Sequence, residues 1–139
     1  MKNLLISLFL LIGISHVSAT ETEYAPQANP EAIVTSGKAR FTVLTPRMIR
    51  IQYSSSSQFE DRATFAVINR NLPVPAYTTR EEDGYLYIET EALSLRYKKN
   101  AMISPVLRSP NNLRITFRLN GREVTWYPGK EDALNLKGT

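Results

Sequence analysis

The chain has 139 residues, with 17 lysine and arginine residues, 13 aspartate and glutamate residues and a formal net charge of +4. It has no cysteine and its only histidine is His16, which excludes a His/Cys metal site and a Ser-His or Cys-His nucleophile beyond that point. Its basic residues are scattered singly rather than clustered with aromatic residues, which argues against nucleic acid as a partner. We therefore expect no metal and no cofactor.

Residues 1–19 predict a secretory signal peptide. Lys2 precedes an apolar run from Leu4 to Ile14, and the segment ends on the small residues Val17-Ser18-Ala19 that a signal peptidase reads. The run is shorter than the ~20 residues that span a bilayer. We expect a periplasmic or secreted protein, with no membrane contact after signal removal and 139 − 19 = 120 residues left for one domain.

Residues 20–37 predict a flexible lead-in with a short strand near 32–34, and an alternation of period two follows. One alternating set is apolar and predicts the buried face of two strands: Ala39, Phe41 and Val43, then Ile49, Ile51 and Tyr53. The other set is polar and predicts a solvent face: Lys38, Arg40 and Thr42, then Arg50 and Gln52. Thr45-Pro46 separates the two runs as a tight connection, because proline cannot donate to a strand ladder.

The middle of the chain alternates between loops and one further strand. The polar stretch 54–62 contains four consecutive serines and predicts a loop. Residues 63–70, "ATFAVINR", predict a strand with apolar residues on both sides. Pro73 and Pro75 then interrupt the pattern, which favours an edge or a loop.

Two dipeptides, Asp83-Gly84 and Asn120-Gly121, each lie between alternating runs and predict β-hairpins. A two-residue type I′ turn needs positive φ at both positions, which Asx-Gly adopts at low cost. Such turns also determine the register of the strands that they join. The expected neighbours are Thr79 and Glu81 on one face with Ile88 and Leu86, Phe117 opposite Val124, and Ile115 opposite Trp126.

Between the hairpins, Leu93, Leu95 and Tyr97 alternate with polar residues and predict another strand. A structureless connection containing Pro105 and Pro110 follows. Six to eight short strands with no convincing helix predict an all-β fold, an antiparallel sandwich or barrel. We assign this domain to residues 38–139.

Adjacent acidic residues are the first candidates for catalysis, since glycoside hydrolysis uses two carboxyl groups ~5–9 Å apart. Three such groups occur: Glu60-Asp61, Glu81-Glu82-Asp83 and Glu131-Asp132. Neighbours on a strand point to opposite faces, and acidic residues are common in turns. We therefore interpret these residues as parts of turns and solvated loops, and assign no catalytic residue and no substrate-binding residue.

Aromatic residues are the second set of candidates, because their ring faces can stack on sugars. Trp126 and Tyr127 precede the Pro128-Gly129 turn, but Trp126 shares a face with Ile115 and Phe117, which predicts a core residue. Three tyrosines on alternating strand positions predict cross-strand packing: Tyr85, Tyr87 and Tyr97. Gly121 and Gly129 predict turns rather than phosphate-binding loops.

Several stretches in order resemble the N-terminal region of exported bacterial glycoside hydrolase family 31 proteins, the α-glucosidases and α-xylosidases. They are "RFTVLTPRMIRIQYS", "FEDRATFAVINRNLPVP", "DGYLYIETEALSLRYKK", "NNLRITF" and "WYPGKEDALNLKGT", which together cover most of residues 38–139. The most specific are Thr90-x-x-Leu93-x-Leu95-x-Tyr97 and Asp132-x-x-Asn135-Leu136-x-Gly138-Thr139.

The resemblance implies a galactose-mutarotase-like β-sandwich that packs on a (β/α)₈ barrel. In the family that barrel carries both catalytic aspartates, and no residue of this chain matches them. The expectation is a non-catalytic N-terminal portion, truncated within its first domain, whose partner is the barrel. Two alternatives stay open: a free-standing secreted module that binds oligosaccharide, and an exported β-domain with a purely structural role.

Overall fold

The computed structural model describes residues 24–132, and these residues form eight β-strands in two antiparallel sheets. The strands are β1 Ile33–Ser36, β2 Ala39–Thr45, β3 Met48–Tyr53, β4 Tyr77–Glu82, β5 Tyr85–Thr90, β6 Leu93–Lys98, β7 Leu113–Leu119 and β8 Arg122–Trp126. The only helical element in this part of the chain is a 3₁₀ turn at Pro30–Ala32. The all-β prediction is confirmed.

The two sheets are consecutive meanders that pack face to face. Strands β1-β2-β3 form one sheet and β4-β5-β6-β7-β8 form the other. Apolar residues of β2 pack on those of β5, β6 and β7, and the rings of Phe41 and Tyr97 lie 5.3 Å apart. This apolar layer between antiparallel sheets is the core of a β-sandwich.

Both predicted hairpins are present with the predicted register. Asp83 and Gly84 have φ values of 50° and 79°, and Asn120 and Gly121 have 51° and 77°. These positive values are those that a type I′ turn requires. Glu81 pairs with Leu86, Thr79 with Ile88, Phe117 with Val124, and Ile115 with Trp126.

Strand β2 is buried on both faces, whereas its alternation predicted one solvent face. Arg40 and Thr42 are only 8% and 2% exposed. The guanidinium group of Arg40 lies 4.8 Å from the ring centroid of Phe59, in the loop 54–62 that folds over this side of the sheet. Periodicity therefore located the strand correctly but could not reveal that a loop covers its polar face.

The predicted strand at 63–70 is wrong, since this segment has no strand in the structure. The backbone groups of Thr64 and Val67 bond to each other in a local turn, with both N···O distances 3.2 Å. Phe65, expected to pack on one side of the strand, is fully exposed. Local hydrogen bonds here replace a ladder to a neighbouring strand.

The ends of the chain bear on the predicted domain boundaries. Strand β1 lies within the predicted lead-in 20–37 and pairs with β2 from Ile33 opposite Thr42 to Ser36 opposite Ala39. The predicted signal peptide at 1–19 and the final residues 133–139 lie outside the described residues. Within residues 24–132, no helix has the length and apolar content to cross a membrane.

Candidate functional site

An open groove of about 880 Å³ lies at one side of the sandwich, between β3 and the strands β6, β7 and β8. Its walls are mostly apolar: Met48, Ile49, Ile51, Leu93, Ile115, Phe117, Leu119 and Trp126. Three charged residues line it as well: Arg47, Glu91 and Arg118.

The groove exists because the three-stranded sheet does not cover the whole inner face of the five-stranded sheet. Strand β3 is the edge of the smaller sheet, and Ile49 and Ile51 still pack against the core from it. No strand follows β3 in this sheet among residues 24–132, so the inner face of β7 and β8 extends past its partner sheet. Leu119 and Trp126 are 57% and 42% exposed there.

Trp126 is thus not a core residue, and that prediction is wrong. It lies opposite Ile115 and so on the predicted face of the sheet. The register of the hairpin was right, but nothing in residues 24–132 covers this face at the position of Trp126. Its side chain lines the groove instead.

Both carboxylates of the acidic pair Glu60-Asp61 accept hydrogen bonds from arginine side chains. Glu60 accepts hydrogen bonds from the backbone and side chain of Arg62, which lower the pKa of Glu60 to about 2. Asp61 accepts from Nη2 of Arg40 at 2.5 Å, and this bond holds the pKa of Asp61 below its ordinary value. A general acid needs a raised pKa, so neither group is suited to that role, and the bonds to Arg40 and Arg62 give both carboxylates a structural function.

The other acidic groups also form ion pairs away from the groove. Glu81 bonds to Lys99 at 2.5 Å and Glu131 to Arg108 at 2.6 Å. Glu82 bonds to Arg80 on the same strand, and Asp83 is a turn residue. In residues 24–132, no group of three or more metal-ligating side chains could hold a metal ion.

Replacing Asp61 with asparagine is expected to lower the free energy of unfolding at pH 7 by about 1–2 kcal/mol, because the nearly buried Arg40 loses its charged partner across a part-exposed contact. Because the pKa of Asp61 is lowered in the folded chain, its negative charge stabilises the fold fully above the ordinary pKa of 3.8. This stabilisation is lost as the pH falls through the lowered pKa. The free energy of unfolding, measured with urea between pH 7 and 2, should therefore fall less steeply with acidification in Asp61→Asn than in the unmodified chain.

The matched control is Glu131→Gln, which removes an exposed ion pair with Arg108. It is expected to change stability by less than about 0.5 kcal/mol. If the free energy of unfolding falls equally steeply with acidification in Asp61→Asn and in the unmodified chain, the role given to the Arg40–Asp61 bond is contradicted.

The three tyrosines divide between the two faces of the larger sheet. Tyr97 is buried in the core, its hydroxyl donates to the carbonyl of Ala101 at 2.8 Å, and burial raises its pKa to about 12. Tyr85 and Tyr87 lie on the outer face, with guanidinium groups of Arg96 and Arg80 at 4.6 and 3.6 Å from their ring centroids. Packing was predicted for all three tyrosines, but the stacked arginines were missed.

No family model matches the chain, and no curated protein matches it either. Two features of residues 24–132 therefore indicate a function: the groove and the outer face of the larger sheet. The groove is apolar with one carboxylate in its lining, whereas the outer face is rich in arginine and tyrosine.

Proposed function

We propose that the chain is the non-catalytic N-terminal β-sandwich portion of an exported family 31 α-glycosidase, and that its partner is the catalytic barrel. The open apolar groove between β3 and β8 is the observation that supports this proposal best. The motif resemblance supplies the family, and the all-β sandwich fold agrees with what that resemblance implies.

The groove has the properties of a surface against which another domain packs. Contiguous exposed apolar surface on a soluble domain commonly marks an interaction site, and Met48, Leu119 and Trp126 are all exposed along this groove. Arg47, Glu91 and Arg118 add charge to its lining, in the pattern of an apolar patch with polar residues around it.

The groove lacks the groups for hydrolysis by itself. A retaining glycosidase needs two carboxyl groups on opposite sides of the bond that it cleaves. Among the described residues, Glu91 is the only carboxylate in the lining, and it has no second acid there as its counterpart. In the proposal, the barrel contributes both catalytic aspartates and the sandwich contributes a packing surface.

The purified chain is expected to show no turnover of p-nitrophenyl α-glucoside or α-xyloside, because residues 24–132 place no carboxylate pair at the groove. Release of p-nitrophenol measures this directly. The proposal also predicts that the reading frame continues past codon 139 and encodes a barrel with two aspartates. Turnover by the chain that is lost in Glu91→Gln would contradict the proposal.

A free-standing oligosaccharide-binding module is the second candidate, and the half-exposed Trp126 in the groove favours it. Aromatic side chains in clefts stack on apolar sugar faces, and Trp126 is the only tryptophan in the chain. In the same purified sample, its fluorescence would therefore report sugar binding. A saturable change with α-linked gluco-oligosaccharides, lost in Phe117→Ala, would favour the module over the packing domain.

A further inference from the structure

The register of the larger sheet brings four residues of four different strands into one row on its outer face. Arg80 of β4 pairs with Tyr87 of β5, Tyr87 pairs with Arg96 of β6, and Arg96 pairs with Arg114 of β7. We name these four residues the arginine row. Neighbouring strands are ~4.8 Å apart, so the row extends over roughly 14 Å.

The charge of the arginine row is neutralised at one end only. Arg80 forms ion pairs with Glu82 and Glu89. Arg96 and Arg114 form no ion pair within residues 24–132. They are directly opposite each other, an arrangement of like charges that destabilises a sheet.

Arg96 is held in position although its surroundings are unfavourable. Its guanidinium group stacks on Tyr85 at 4.6 Å, and Nη2 donates to the carbonyl of Pro110 at 3.4 Å. Its Nε is buried without an acceptor, which costs free energy. Two neighbouring guanidinium groups with no ion pair within residues 24–132 are not expected where stability alone determines the sequence, so the pair Arg96–Arg114 points to an anionic ligand.

We propose that the arginine row binds a linear anionic polysaccharide through its carboxylate groups, with Arg96 and Arg114 as the main contacts. Planar guanidinium groups bind carboxylates through two parallel hydrogen bonds, and an excess of positive charge attracts a polyanion. The outer face of an extended sheet suits an extended polymer that lies across the strands, unlike the enclosed shape of a small-molecule site.

The tyrosines of this face distinguish the proposed ligand from single-stranded nucleic acid. Binding of single strands relies on aromatic rings on which bases stack. Here Arg80 covers the ring of Tyr87 and Arg96 covers the ring of Tyr85, and both rings are already half-buried in the sheet. The face therefore offers cationic donors rather than open stacking platforms.

The test is affinity gel electrophoresis of the purified chain through polygalacturonate, with neutral dextran as the comparison polymer, at low and high NaCl concentration. Retardation is expected in polygalacturonate alone and should weaken with salt, because exposed charges are screened. The double variant Arg96→Gln/Arg114→Gln is expected to lose about tenfold or more in affinity, since two charge-assisted contacts are removed.

The matched control is Arg62→Gln/Arg108→Gln, which removes the same charge from two exposed arginines that already pair with Glu60 and Glu131. It is expected to stay within about twofold of the unmodified chain, because ion-paired surface arginines away from the arginine row add little to its binding. Circular dichroism should show unchanged folding in both double variants.

Three outcomes would overturn the proposal. The first is no retardation by polygalacturonate, and the second is an equal loss in both double variants, which would indicate net charge alone. The third is tighter binding to an oligo-dT single strand than to polygalacturonate. The arginine row lies on the face opposite the groove, so none of these results depends on whether the groove binds a barrel.

Discussion

Replacing Arg70 with alanine is expected to lower the free energy of unfolding by about 3–5 kcal/mol, the range for removing a buried, multiply bonded side chain. Arg70 is 2% exposed. Its Nη1 donates to the carbonyls of Pro26 and Asp61 at 3.0 and 3.2 Å, and its Nη2 donates to the carbonyl of Arg62 at 3.0 Å. Without the guanidinium group, these carbonyls lose their partner, and the segment 61–70 loses its side-chain hydrogen bond to the N-terminal segment at Pro26.

Urea unfolding followed by circular dichroism measures the loss, and two variants serve as references. Arg70→Lys keeps the charge but has one ammonium group in place of the guanidinium fork, so an intermediate loss is expected. Arg62→Ala removes a neighbouring arginine that is exposed, and a change below about 1 kcal/mol is expected. A similarly small change in Arg70→Ala would show that the loop does not depend on Arg70.

Replacing Gly129 with alanine is expected to cost about 2–5 kcal/mol. Gly129 has a φ of 77°, and a Cβ atom at this position would lie 1.9 Å from the carbonyl oxygen of Pro105. The left-handed conformation alone costs about 1–2 kcal/mol for a residue with a side chain. Relief of the backbone clash adds about 1–3 kcal/mol, as overpacking does elsewhere.

Gly84→Ala is the matched control, because it separates strain from clash. Gly84 has a φ of 79°, but no atom lies within 4 Å of the added Cβ. Its cost should be limited to the conformational term of about 1–2 kcal/mol. Thermal unfolding of the two variants compares them directly, and equal losses would mean that the contact between Gly129 and Pro105 does not constrain the fold.

Hairpin features were predictable because they depend on neighbouring residues. The Asp83-Gly84 turn determines that Arg80 lies opposite Tyr87, and the structure has this pair. The pairing of Arg96 with Arg114 was not predictable, since the connection across Pro105 and Pro110 leaves the register open. The alternation of single arginines, interpreted as solvated positions, was therefore the only local signal of the arginine row.

The groove was not predictable for a related reason. The face on which Trp126 lies followed from the Asn120-Gly121 turn. Whether that face is covered depends on whether a further strand pairs with the edge strand β3, on which Ile51 lies, and no local sequence pattern encodes this. The same argument applies to Arg40, whose burial depends on a loop that folds back from residues 54–62.

The sequence alone therefore determined the strand period, the two Asx-Gly turns and the all-β class, because these follow from backbone sterics and the alternation of side chains within a few residues. Only the tertiary structure decided which surfaces are covered, as at Arg40, Arg70 and Trp126. Burial depends on segments distant in the chain, and the loss of water that makes a contact favourable occurs only when those segments meet.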